Sequence, residues 1–262
     1  MLRFTSLGSG SSGNATLVEA QPHDGVRPTR LLVDCGLPPR QLAARLAARG
    51  LSVTDIDAVF VTHEHSDHVG GVLALQRRYA IAVWASAGTW ARASANVEPA
   101  PGCHVARDGE VIVVGNLTIR PFAVPHDAAE PLQLTCCDGQ HRIGILTDIG
   151  EPTDAVARAL YGCDALLLET NHDPAMLAAS AYPTWLKRRI AGQHGHLSNA
   201  QAATLLDACR HSGLRHVVAA HLSQQNNRPE MALGALGAAL GTADTRLSVA
   251  DAATGCAWVV AG

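Results

Sequence analysis

The stretch "IDAVFVTHEHSDH", Ile56 to His68, constrains the chain more than any other. Its first half is a short apolar run with Ile56, Val59, Phe60 and Val61, and it reads as a buried strand. The run passes straight into His63, His65, Asp67 and His68. These four nitrogen and oxygen donors fall within six residues at the end of a rigid strand. A loop there can curl so that alternate side chains converge. Imidazole and carboxylate without cysteine suit zinc, manganese or iron, and argue against a purely structural zinc site.

The elements around this stretch set the expected architecture. "RFTSLG", "NATLVEA" and "TRLLVDCG" read as strands, split by Gly, Ser, Pro and Asn. "PPRQLAARLAARG" reads as a helix, opened by Pro and closed by Gly50. The middle is β-rich, with Asp138-Gly139 as a hairpin signal between "LQLTCC" and "HRIGILTD". Helices are expected over Thr89–Ala95 and Thr153–Tyr161, across 174–191 and 198–212, and from Pro229 to Leu240. "LSVADAATGCAWVV" is expected to close the chain as a strand pair. No repeat, low-complexity tract or linker divides the sequence, so one domain over residues 1–262 is expected. The order suits an α+β fold of two packed sheets with helices on their outer faces.

Composition narrows the class. Apolar residues make up 47% and charged residues 16%, which excludes a disordered chain. A formal net charge of −3 gives no global basic field, so any nucleic-acid contact must be local. The seven cysteines form no CxxC pair and indicate neither a zinc ribbon nor a disulfide framework. The N-terminal "MLRFTSLGSG" lacks the apolar run of a signal peptide. No apolar stretch approaches the ~20 residues of a membrane span. A cytoplasmic protein with no membrane partner is therefore expected. Thirteen histidines, several beside Asp, Glu or another His, point to metal chemistry.

On the H-x-H-x-D-H motif the chain resembles the metallo-β-lactamase fold superfamily of metal-dependent hydrolases. The resemblance implies a four-layer αβ/βα sandwich. Three later residues match the family's ligand order: His126 in "VPHDAAEP", Asp148 in "ILTDIG" and His221 in "AAHLS". It implies one metal held by His63, His65 and His126. A second is held by Asp67, His68 and His221, with Asp148 shared. The expected ions are two divalent cations, zinc or manganese, about 3.5–4 Å apart with a hydroxide between them. Asp67 thereby counts among the catalytic groups. Asp34 matches a family aspartate that orients a ligand histidine; it also reads as a plain strand-end turn residue.

A shared Asp148 disfavours the true β-lactamases. The interval from His126 to Asp148 is too short for the inserted domain of the RNA-processing β-CASP nucleases. "SLGSGSSGN", "LLLETNHD", "GHLSN" and "AHLSQQNN" together look like the YycJ/WalJ-type branch, described as 5′-to-3′ exonucleases. That implies a nucleic-acid substrate, DNA and also RNA. A phosphodiester's leaving alkoxide needs a proton, and His196 positioned by Glu169 fits that task. Ser198 reads as a helix N-cap, compatible with a phosphate contact. Asn171 and His172 either line the site or hold the loop. Asn14 holds the turn of "GSGSSGN", a loop that either admits a terminal phosphate or is a plain hairpin tip. Lys187-Arg188-Arg189 reads as a solvated helix face or a grip on a nucleic-acid backbone, with Tyr182 and Trp185 nearby to stack on bases. His194 matches no family role; His23, His104, His141, His211 and His216 read as surface or packing residues. The rival readings are a small-molecule hydrolase (cyclic phosphodiesterase, lactonase or thioesterase) and a non-catalytic binding protein on the same fold.

Overall fold

The computed structural model describes residues 1–22, 27–93 and 101–262. His23 and the last two residues of the helix expected over Thr89–Ala95 lie outside the described residues. Strands β1 (Leu2–Gly8), β2 (Ala15–Ala20), β3 (Thr29–Val33), β4 (Ala58–Phe60), β5 (Ala82–Ala85) and β6 (Cys103–Val105) form one sheet in that order. A second sheet runs β7 (Ile112–Val114), β8 (Leu117–Ala123), β9 (Leu132–Cys137), β10 (Arg142–Leu146), β11 (Ala165–Glu169), β12 (His216–Ala220) and β13 (Arg246–Val249). The last strand, β14 (Val259–Val260), crosses back and pairs antiparallel with β1. The expected closing strand pair is thus corrected: β13 and β14 edge opposite sheets. Between them Asp251 accepts the amides of Ala253 and Thr254 and turns the chain from one sheet to the other.

Both sheets have the same pattern. Each begins with three antiparallel pairings, β14-β1-β2-β3 and β7-β8-β9-β10. Each ends with three parallel ones, β3-β4-β5-β6 and β10-β11-β12-β13. The topology repeats although no repeat is legible in the amino acids.

Strand alternation explains the layers. Ala165 and Leu167 on β11 face the core between the sheets, while Leu166 and Leu168 face the helices outside. Leu31 and Val33 on β3 face inward, and Leu32 faces the helices of the first sheet. Three apolar layers separate helices, sheet, sheet and helices, the four-layer sandwich expected. Strands buried on both faces read as continuous apolar runs rather than alternating ones.

The helix expected across 174–191 is two, Pro174–Ala179 and Thr184–Ile190. Pro183 drives Tyr182 out of helical backbone and opens the second helix. Its neighbour, Asn199–Cys209, starts at a capping box in which Ser198 and Gln201 satisfy one another's amides.

One charge is buried on the outer face of the first sheet. Glu19 on β2 is fully buried and takes Arg3 Nε and Arg30 Nε at 2.7 Å each. Arg3 in turn lies over the Trp258 ring at 4.1 Å. Glu19→Ala would leave two guanidinium groups facing each other. Breaking a fully buried pair costs ~3–5 kcal/mol; Arg3 keeps 28% of its side chain in water, so about 2–3 kcal/mol is expected here. The shift in urea midpoint at constant slope measures it, and a midpoint within error of wild type would contradict the account.

Candidate metal centre

The C-terminal ends of five strands meet at one end of the joint between the sheets. β3 delivers Asp34, β4 His63, β10 Asp148, β11 Glu169 and β12 His221. Three of these break the strand abruptly: Asp34, Asp148 and His221 have φ of 60°, 54° and 55°. Left-handed backbone is uncommon outside glycine, and Asp, Asn and His tolerate it best. Each such residue costs about 1–2 kcal/mol, so the surroundings must hold it. The amide of Asp34 donates to Phe60 O, and its carboxylate takes the Thr62 amide at 2.8 Å. The amide of His221 donates to Ser9 Oγ at 2.7 Å, and its carbonyl accepts Asn171 Nδ2 at 2.8 Å. The amide of Asp148 donates to Glu169 Oε1 at 3.1 Å. Close backbone approach locks the turns. A Cβ on Gly36 would fall 1.8 Å from the Asp67 carbonyl oxygen, and one on Gly150 would fall 2.1 Å from that of Gln193.

The sequence-predicted donors converge. Ligand atoms of His63, His65 and His126 lie within 4.8 Å of one another, as do those of Asp67, His68 and His221. Asp148 joins both neighbourhoods, grouping with His63 and His68 and again with His221. The far ring nitrogens are already engaged. His126 Nδ1 donates to Gly195 O at 3.0 Å, His68 Nδ1 to Asp34 Oδ2 at 2.8 Å and His221 Nδ1 to Glu169 Oε1 at 3.0 Å. His63 Nδ1 sits 3.0 Å from Thr62 Oγ1. His65 has its Nε2 at the Asp127 carbonyl, 3.2 Å away, which leaves Nδ1 for the centre. The Nε2 atoms of His63, His126 and His221 are buried without a hydrogen-bond partner. Buried polar atoms are rarely left so, and these point at a shared centre. The donor set therefore fits divalent cations: neutral or charged oxygen and nitrogen, oriented from behind by carboxylates and carbonyls.

The charges show what a cation would replace. Burial pulls His63 well below the usual imidazole range, with His68 adding to the effect. Burial acts in the same direction on His68, but Asp148 and Asp34 overrule it and raise its pKa well above normal. His221 is lowered by burial and raised more by Asp148, Asp67 and Glu169, reaching about 10. Glu169 is raised by burial, but His196 and His221 bring it down to about 2. The buried carboxylates thus favour positive charge among them, which a bound cation would supply.

Glu169 is fully buried and accepts five groups: the amides of Asp148, Ile149 and Leu197, and Nδ1 of His196 and His221. His196 Nδ1 lies 2.8 Å from Glu169 Oε1. Its ring stands 5.4 Å from that of His126 and 5.2 Å from that of His221, and 21% of its side chain is exposed. Burial lowers its pKa, but Glu169 and Asp148 outweigh it and raise it.

The other predicted residues divide. Asn14 holds its turn by accepting the Gly10 amide, and its Nδ2 lies 2.9 Å from His68 Nε2 and 3.3 Å from Asp67 Oδ2. Asn171 holds the His221 backbone. His172 bridges to Ser198, and burial lowers its pKa to about 4. The side chain of His194 is exposed; only its carbonyl takes part, accepting the Asp127 amide at 2.9 Å. Sequence reasoning missed Thr62, Ser9 and Asp127. Thr62 and Asp127 directly adjoin His63 and His126, a signal available in the chain; Ser9 carried none.

The chain matches the Beta-lactamase superfamily domain over residues 29–222. It is 34% identical over 234 residues to the exodeoxyribonuclease YycJ of Bacillus anthracis, covering 88% of this chain and 86% of that one. It is 33% identical over 235 residues to the exodeoxyribonuclease WalJ of Streptococcus pneumoniae, covering 88% and 85%. Among solved structures it is similar in fold to the metallo-beta-lactamase fold protein YhfI of Bacillus subtilis, with a TM-score of 0.71 at 16% identity over 97% of this chain and 98% of that one. The paired seven-stranded sheets, the convergent donors and these matches agree: the chain belongs to the beta-lactamase superfamily and is similar over most of its length to the YycJ/WalJ exodeoxyribonucleases.

Proposed function

We propose that this chain is a binuclear metal-dependent phosphodiesterase, a 5′-to-3′ exonuclease on DNA and also on RNA, working as one domain over residues 1–262 in the cytoplasm. One ion is assigned to His63, His65 and His126, the other to Asp67, His68 and His221, with Asp148 shared. Zinc is the proposed ion and manganese the alternative, since both accept imidazole and carboxylate. When bound, such ions activate water and neutralise phosphate charge.

The observation that carries the reading is His196. It is not needed as a ligand, yet it stands between His126 and His221 with Nδ1 fixed on a buried carboxylate. That geometry leaves Nε2 to donate a proton to a leaving alkoxide, and the Glu169 carboxylate at Nδ1 favours the protonated ring. Glu169 fixes the orientation of the ring. Asp34 and Asn171 hold His68 and the His221 backbone, Asn14 braces Asp67, and Ser198 caps the helix behind His196 while His172 packs beside it. The helix Thr184–Ile190 has no buried residue and carries Lys187, Arg188 and Arg189. Arg189 reaches Asp127 at 2.6 Å, beside His65 and His126, so these cations flank the place where a phosphate backbone would pass. The names of the YycJ and WalJ relatives support the same substrate class.

The test is cleavage of end-labelled single- and double-stranded DNA and RNA with zinc or manganese, beside a panel of lactones, thioesters and cyclic phosphodiesters. Metal-loaded protein that leaves every nucleic acid intact would sink the proposal. His196→Ala should retain both ions by elemental analysis while losing ~10²–10⁴-fold in rate, the usual weight of a general acid. Loss of metal instead would make His196 a ligand. Metal retention should also fall with acidity. His68 and His221 bind protons more tightly than ordinary histidines, so protons compete with the ions at higher pH than at an unperturbed imidazole. Metal content after dialysis across pH 5–8, on the order of the histidine range, should drop toward the acid end; a flat profile would contradict it.

A further inference from the structure

A cavity of about 290 Å³ is lined by the residues that directly follow His221 and Ser9, whose hydroxyl holds the His221 amide, and it is chemically unlike the basic helix beside it. Two of its walls continue segments that already hold the site. Gly10 donates its amide to Asn14 Oδ1, and Ser11 and Ser12 follow it. On the other side the chain runs from His221 through Leu222 to Gln224 and Gln225. The third wall is Tyr182, at the foot of the helix Thr184–Ile190. The lining holds hydroxyls, carboxamides and one aromatic ring, and no charged side chain.

Tyr182 lies two positions before the helix Thr184–Ile190, whose seven residues span roughly 10 Å at 1.5 Å per residue. Its far end lies over His65 and His126 through the Arg189–Asp127 pair. The segment therefore runs from an uncharged aromatic pocket to a cationic rim across the mouth of the centre. A phosphodiester strand offers the complementary sequence of chemistry: an uncharged heterocycle with hydrogen-bonding edges, then a charged backbone.

Resting on the phosphodiesterase reading above, we propose that this cavity is the subsite for the nucleoside next to the scissile phosphate. The base stacks on Tyr182 and its edge meets the carboxamides of Gln224 and Gln225, with the phosphate chain leaving along Lys187, Arg188 and Arg189. The volume lies just below the ~300–1,000 Å³ range of ligand pockets, which suits one small group rather than a length of strand. Amide and hydroxyl groups without a charged anchor suit several bases, so the subsite tolerates sequence.

The experiment compares two labelled oligonucleotides with the metal-loaded protein, one with an intact terminal nucleoside and one with an abasic residue there. Wild type should prefer the intact end by about 10-fold in kcat/KM, within the range of base–aromatic stacking. Tyr182→Ala should collapse that preference toward unity, Tyr182→Phe should restore it, and Gln224→Ala should reduce it. Metal content and thermal midpoint, followed for each variant, separate this from misfolding. Equal cleavage of both ends by wild type overturns the subsite. So does a Tyr182→Ala variant that keeps the full preference. Cleavage of neither oligonucleotide by metal-loaded wild type overturns the phosphodiesterase reading, and the subsite with it.

Discussion

Glu169 is the interaction on which the site's geometry depends. A carboxylate removed from water is costly unless it is fully paired, and this one is paired on every side. Three amides fix the turn after β10 and the start of the His196 segment, and two imidazoles stand on Oε1. One side chain therefore sets the left-handed turn at Asp148, the tautomer of His221 and the aim of His196. The same group that positions a donor to metal positions the proposed proton donor, so binding and chemistry share one anchor.

The duplicated topology explains why such an anchor is needed. Asp34-Cys35-Gly36 ends β3 in one sheet, and Asp148-Ile149-Gly150 follows β10 in the other, each with a left-handed Asp and a glycine pressed against a facing backbone. Each sheet brings its parallel strand ends to the joint. The first contributes the dense run His63 to His68; the second contributes His126, Asp148 and His221 from three separate segments. Neither half assembles a full donor set alone. The centre is a property of the packing between sheets, which the residues shared by the two sides of the apolar core maintain.

Much of this was legible in the chain. The H-x-H-x-D-H run after an apolar strand located the first sheet's share, and His126, Asp148 and His221 at the ends of apolar runs located the rest. Strand content and layer order followed from continuous apolar segments. What escaped reading is non-local. Nothing in "LSVADAATGCAWVV" shows that its two strands join different sheets, because the first pairs with β12 some thirty residues earlier and the second with β1 at the other end of the chain. The split of 174–191 was signalled by Pro183, but the apolar periodicity ran on through it. That Glu169 serves two histidines and three amides, or that Ser9 supports the His221 backbone over 212 residues of sequence, has no local signature.

The left-handed backbone at Asp34, Asp148 and His221 has a consequence for how this centre can change. At these three places the main chain selects the residue before any cation does. Branched side chains are shut out, and the short polar residues that tolerate such a conformation offer oxygen or imidazole. His65 is under no such rule: its φ is −60°. Softer donors, such as thiolates, can therefore enter at ordinary backbone positions like that one, while the strand-end positions keep the centre committed to hard and borderline chemistry. The shape of the main chain limits which metals the descendants of this site could come to prefer.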